Sequence, residues 1–215
     1  MSLTLHFHPL ASYCWKVLIA LYENGTPFTP HLVDLANTAA RDALTALWPI
    51  RRFPVLRDEA RDKTVPESTI IIEYLAQHHP GPVALLPADP DHARETRLTD
   101  RFYDLYVHEP MQRIVGDRLR PTDAHDPHGV AAARATLDTA YAMIERSMAH
   151  DRWAMGEAFT LADCAAAPAL YYADRVHPLG DRYPFAAAYL ARLKERPSFA
   201  RVLAEAEPYF TLFPA

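Results

Sequence analysis

Four prolines fall within the eleven residues from Pro80 to Pro90, and the hydrophobic pattern differs in kind on the two sides of them. Proline has no backbone N–H and holds φ fixed, so neither a helix nor a central strand runs through such a stretch. It is a connection between two units. Upstream, apolar periods of two and of about 3.6 alternate; downstream, only the helical period survives. The sequence therefore predicts an α/β unit over residues 1–79, a linker over 80–91 and an all-helical unit over 92–215. At 215 residues the chain is long enough for two such units to bury a shared or separate core.

In the first unit Leu3, Leu5 and Phe7 alternate with polar residues, which is the pattern of a strand. Pro9 ends it. Ser12 stands where a helix N-cap belongs, ahead of a run carrying Val17, Leu18, Leu21 and Tyr22 at helical spacing and closing at Asn24-Gly25. Residues 28–35 read as a second strand, and a helix of that length between two strands favours a parallel pair. A polar helix over 38–47 follows. Strands beginning at Val55 and Thr64 flank the charged run 58–63 as a hairpin, and an apolar helix spans 67–79. The order is β-α-β-α-β-β-α. Beyond the linker, Leu98, Phe102, Leu105 and Tyr106 form one stripe, which Pro110 is expected to kink before Met111, Ile114 and Val115 continue it. Val130, Leu137, Tyr141, Ile144 and Met148 form a second stripe, and three more helices are expected near 161–176, 184–195 and 198–206. No strand is expected there.

Charge narrows the partners. With 22 basic and 27 acidic residues the net charge is -5, so nothing draws the chain to a nucleic-acid backbone or an anionic membrane surface. No apolar run reaches the ~18 residues of a membrane span, and His6, His8 and Pro9 interrupt the N-terminus where a signal peptide would be apolar. Cys14 and Cys164 lie far apart and match no metal-ligand spacing, which suits a reducing cytoplasm. His6 and His8 sit on the polar side of the first strand without a partner ligand, so no metal site is expected from them.

Three stretches of the first unit carry the candidate chemistry. At the start of the first helix, Ser12 and Cys14 stand in the field of an N-terminus that favours negative charge. Plain capping is the ordinary role of a serine there. In Arg52-Phe53-Pro54-Val55 a proline enters a short strand, which a cis Phe53–Pro54 peptide would explain. In Glu67-Ser68 an acid and a hydroxyl open an apolar helix. The serine and the helix amides suit a carboxylate, and the glutamate suits an ammonium, which together answer an amino-acid moiety. Taken alone, this too reads as an ordinary helix start. Further on, Thr160 and Asp163 have the spacing of a capping box, a structural device.

Jointly, Ser12 with Lys16-Val17, the Phe53-Pro54-Val55 turn, Glu67-Ser68 followed by Ile70, Tyr74 and Leu75, and the Thr160/Asp163 box resemble the cytosolic glutathione S-transferase family over nearly the whole chain. The resemblance implies a thioredoxin-like first domain that binds glutathione, and a helical bundle against which a small hydrophobic electrophile sits. It implies Ser12 as hydrogen-bond donor to the glutathione sulfur, and Ser68 and Glu67 on the γ-glutamyl group. It further implies pairing of the Phe53 backbone, exposed by a cis Pro54, with the cysteinyl backbone, and carboxylate contacts from Arg52 and Arg41. The activity implied is glutathione transfer or glutathione-dependent isomerisation, in a homodimer. Two positions depart from the family pattern. Ala39-Ala40 precede Arg41 in the second helix, and Arg51 replaces the usual glycine before the proline turn. Two alternatives stay open: thiol–disulfide exchange at Cys14, and a non-catalytic binding protein of the same fold. Tyr103, Tyr106, Met111 and Arg113 are cleft candidates that read equally well as core or interface.

Overall fold

In the computed structural model, which describes residues 2–34 and 36–214, the strand alternation at the N-terminus becomes a buried edge-to-core pattern. β1 (Leu3–Phe7) buries Leu3 and Leu5 and leaves Thr4 and His6 partly open. It is the second of four strands in the order β2-β1-β3-β4. β2 (Thr29–Leu32) runs parallel to it with Leu5 opposite Pro30. β3 (Val55–Asp58) runs antiparallel on the other side with Leu5 opposite Leu56, and β4 (Lys63–Pro66) completes the hairpin. Pro30 is tolerated because β2 is an edge strand. β2 is shorter than the expected span 28–35; Val33 still donates to the Phe7 carbonyl at 2.8 Å, and Leu35 lies outside the described residues.

Three helices complete the first unit: α1 (Ser12–Glu23), α2 (Thr38–Leu47) and α3 (Ser68–His78). α1 is buried almost without interruption from Cys14 to Leu21. A helix covering one face of a sheet keeps a polar outer stripe; α1 has none, because the helical unit covers its far side.

That unit begins with α4 (Pro90–Phe102), continues without a break through a π-helical segment (Tyr103–His108) into α5 (Glu109–Arg118), and adds α6 (Pro127–Met148), α7 (Leu161–Val176), α8 (Pro184–Glu195) and α9 (Pro197–Ala206). α7 and α9 pack on α1. The alanines of α7, among them Ala165, Ala166 and Ala169, are buried against this seam. The expected capping box opens α7: the Thr160 N–H donates to Asp163 Oδ2 at 2.8 Å. Apart from isolated bridges at 153–158, the described residues beyond the linker form no strand.

Two local expectations change. At Pro110 the sequence predicts a kink, and the structure instead widens the helix over Tyr103–His108 just upstream. Proline deprives the i−4 carbonyl of its donor and crowds it, and a π turn relieves both. At Ser12 the sequence predicts an N-cap, yet Ala11 holds the cap position with extended dihedrals and makes no side-chain cap bond. Ser12 is the first helical residue, so its hydroxyl is not tied to the backbone amides.

The proline-rich segment is held to the end of α1 and to the start of α7. Asn24 at the C-cap of α1 accepts from the Val83 N–H at 2.8 Å and donates to its carbonyl at 3.2 Å. Gly81 passes so near this asparagine that a Cβ would lie 2.4 Å from Asn24 Cβ. Leu85 is buried and its carbonyl accepts from the Leu161 N–H at 2.7 Å.

Candidate active site

The Phe53–Pro54 peptide is cis, so the chain turns sharply into β3 with the Phe53 backbone at the mouth of a cleft. The residue ahead of the turn, Arg51, has φ 60, in the left-handed region where glycine is at ease. Opposite the turn, β4 ends and α3 begins. Glu67 caps α3 with φ 69, a backbone state that costs a non-glycine residue of order 1–3 kcal/mol and collects at functional sites. Ser68 is the first residue of α3, beside backbone amides that no intrahelical carbonyl satisfies.

A cavity of about 420 Å³ joins these pieces. Arg52, Phe53, Pro54, Glu67 and Ser68 all line it, so five of the seven residues singled out from the sequence come together. Arg41 is not among its walls; it lies exposed on α2, where its guanidinium donates to Thr38 Oγ1 at 3.0 Å. Ser12 lines a separate, mostly apolar cavity of about 180 Å³ with Met111, Val115, Tyr172 and Phe213. Its neighbour Tyr13 faces the large cavity. The N-terminal turn of α1 is thus the partition between the two.

Sequence reasoning missed what surrounds this partition. Ser12 Oγ is hydrogen-bonded to His108 Nε2 from the π segment, and both residues are buried. The Tyr13 ring lies on the same imidazole with centroids 4.1 Å apart. Burial, and secondarily the Lys16 ammonium, lower the His108 pKa from 6.5 to about 3, so the ring is neutral. Burial, aided by Asp104, pushes the Tyr13 phenol up, so it too is neutral. One turn on, Lys16 is fully buried and held by Asp100 at 2.5 Å and Asp104 at 2.9 Å. Thr69 Oγ1 accepts from Lys16 at 2.9 Å and donates to Asp100 at 2.8 Å. This network ties α1, α3 and α4 together behind the cavity. The sequence did hold a signal for it. A lysine inside an apolar run needs anions, and Asp100 and Asp104 share one helix face at spacing i, i+4.

Cys14 points into the core, fully buried, and burial pushes its thiol well up. Cys164 is likewise buried and raised. Neither is a thiolate at neutral pH, which removes the physical basis for exchange chemistry at Cys14. Of the cleft candidates, Tyr103 and Met111 are buried, Tyr106 is exposed, and Arg113 is exposed and paired with Glu109 at 2.9 Å. His6 lies against His31 with ring centroids 4.5 Å apart, and burial with that neighbour lowers its pKa to about 4. Among the described residues, no group of three or more His, Cys, Asp or Glu side chains is placed to hold a metal ion.

Comparison with known proteins bears on the family and the fold. The family described as "Glutathione S-transferase, N-terminal domain" matches residues 5–83, and "Glutathione S-transferase, C-terminal domain" matches residues 127–192. The chain belongs to the glutathione S-transferase family. A maleylpyruvate isomerase of Ralstonia sp is 30% identical, over 90% of this chain and 92% of that protein. A stringent starvation protein A homolog of Coxiella burnetii is 31% identical, over 95% and 93%. A glutathione S-transferase of Methylobacterium radiotolerans, solved in complex with glutathione sulfonate, is 30% identical, covers 93% of each chain and superposes with a TM-score of 0.79. As a member of this family the chain has the thioredoxin-like α/β domain and helical domain that its sequence resembles. No helix among the described residues is long and apolar enough to cross a membrane.

Proposed function

We propose that this glutathione S-transferase binds glutathione in the 420 Å³ cavity and activates its thiol at the N-terminus of α1. The observation that carries the reading is the meeting of Glu67-Ser68, the cis Phe53–Pro54 turn and the first turn of α1 around one cleft. The γ-glutamyl carboxylate takes hydrogen bonds from Ser68 and the first amides of α3, and Glu67 faces the ammonium. The cysteinyl backbone pairs with the Phe53 peptide as an added strand. Arg52, in the cavity wall, takes a second carboxylate; Arg41 serves it only if its guanidinium leaves Thr38.

A free thiol with a pKa near ~8.5 is only a few per cent ionised at neutral pH, and lowering it by ~2 units needs about 2.7 kcal/mol of thiolate stabilisation. A hydroxyl donor supplies ~1–3 kcal/mol to a charged acceptor, and a helix N-terminus ~0.3–2 kcal/mol. Ser12 offers both. The small cavity that Ser12 lines holds a small hydrophobic electrophile, and Tyr13 is the first-turn residue in the wall of the glutathione cavity, so the glutathione sulfur has to reach Ser12 across this partition. Transfer to an electrophilic carbon and glutathione-dependent isomerisation use the same activated sulfur.

The reading includes residues 1–79 as the glutathione-binding domain, 80–91 as linker and 92–215 as the co-substrate domain. It includes a homodimer in a reducing cytoplasm, with the first domain of one subunit against the helical domain of its partner. Exposed Ile70 on α3, and Leu98 and Tyr106 on the opposing helices, support that interface; elution at a monomer's volume refutes it. The decisive measurement is turnover of a generic electrophile with glutathione, wild type against Ser12→Ala. A loss of roughly 5- to 100-fold in kcat/KM is expected for removal of the hydroxyl's ~1–3 kcal/mol, the helix N-terminus being kept, and an unchanged rate removes Ser12 from the mechanism. Arg51 in place of the usual glycine, and Ala39-Ala40 ahead of Arg41, favour a second reading, a binding protein of the same fold without turnover. Micromolar glutathione binding by calorimetry together with turnover excludes it.

A further inference from the structure

Ser12 has one proton, and its use depends on His108. The two side chains are hydrogen-bonded through Oγ and Nε2, both buried. The other ring nitrogen, Nδ1, is buried with no hydrogen-bond partner among the described residues. Gln112 reaches the same Nε2 only at 3.4 Å, the Tyr13 ring packs against the imidazole at a tilt of 53°, and the Lys16 ammonium stands nearby. A neutral imidazole carries its proton on one nitrogen. With the proton on Nδ1, a buried N–H has no acceptor, the rarer kind of unsatisfied group. Nε2 would then be an acceptor and would claim the Ser12 proton. With the proton on Nε2, the ring donates to Ser12 Oγ, and the serine hydrogen is free to rotate toward a sulfur anion.

We infer that His108 is a positioning residue for the thiol chemistry: its Nε2–H donates to Ser12 Oγ, so that the Ser12 hydroxyl donates to the glutathione thiolate. This rests on the reading of Ser12 given above. The thiol proton departs to bulk water when the sulfur ionises, and His108 neither gains nor loses one. A base role is disfavoured at this place, since a buried ring beside an ammonium resists protonation. As the first helical residue rather than the cap, Ser12 leaves its hydroxyl for His108 instead of the backbone amides.

The test is an ultraviolet titration of the bound glutathione thiolate, with no electrophile present, in wild type, His108→Phe, His108→Asn, His108→Gln and Ser12→Ala. Phe fills the space without a donor, and the Asn amide is too short to reach Ser12. Both should raise the bound thiol pKa by about one unit and lower kcat/KM about tenfold below that pKa, with glutathione KM changed less than about twofold. Gln places an N–H near the position of Nε2 and should restore most of the shift. In a Ser12→Ala background, His108→Asn should add nothing. If Ser12→Ala raises the thiol pKa while Phe and Asn leave it at the wild-type value, His108 has no such role and the Ser12 reading stands. An unmoved thiol pKa in Ser12→Ala overturns both. Should the Phe variant not fold, the Asn and Gln pair decides the matter alone.

Discussion

Lowering the pH from about 7 to about 5 should destabilise this protein through His108. The imidazole is held neutral in the fold with a pKa lowered to about 3, against 6.5 for an ordinary histidine. A group depressed in the folded state contributes stability above its unfolded pKa and loses it as pH falls toward the folded one. Between those limits the unfolded chain binds the extra proton, so each pH unit removes about 1.36 kcal/mol. At pH 5, about 1.5 units below the unfolded value, the expected loss is about 2 kcal/mol relative to neutral pH. The assay is urea unfolding of wild type and His108→Gln at both pH values, at one fixed protein concentration and without glutathione. Glutamine does not titrate, and every other group cancels between the two proteins. His6, also lowered, stays in both. The wild type should lose about 2 kcal/mol more than the variant between pH 7 and pH 5. An equal loss in both would mean that water reaches the ring, and the buried, neutral His108 would have to be given up.

Lys16→Met leaves Asp100 and Asp104 buried beside each other with no cation, and should cost about 3–5 kcal/mol in denaturant unfolding; a change below about 1 kcal/mol would show that the pair is solvated. Cys14 and Cys164 should resist a thiol-labelling reagent in the native protein and react stoichiometrically once urea unfolds it, because both thiols are buried and raised. Rapid native labelling of one thiol would place it at the surface.

The elements that were legible in the sequence are those whose signals are local. The Thr160/Asp163 box marks the start of α7 to the residue, and Leu47 followed by Trp48-Pro49 marks the end of α2. The cis Phe53–Pro54 bond was legible only through the family resemblance, since a proline at the head of a strand is ordinary and most X–Pro bonds are trans. What was not legible depends on partners distant in the chain. Ser12 looks like a cap from its neighbours, and only His108, 96 residues away, shows what its hydroxyl meets. Tyr13 reads as one more amphipathic helix position, and its place in the wall of the large cavity follows from how α1 is rotated against α4. The π segment is visible in sequence only as Pro110, which specifies that the helix must adjust but not how.

The absence of a polar stripe on α1 has a consequence for anyone who would recombine parts of this protein. Trp15, Leu18 and Ile19 are covered from both sides, and the Arg196 guanidinium grips Glu23 at 2.6 and 2.7 Å from the far end of the same helix. Residues 1–79 are therefore not an exchangeable cassette. Grafted onto a foreign helical partner, they would bring an ammonium lacking its anions and a naked aromatic seam. A shuffled library should yield folded chimeras only where the donor supplies acids at the positions of Asp100 and Asp104.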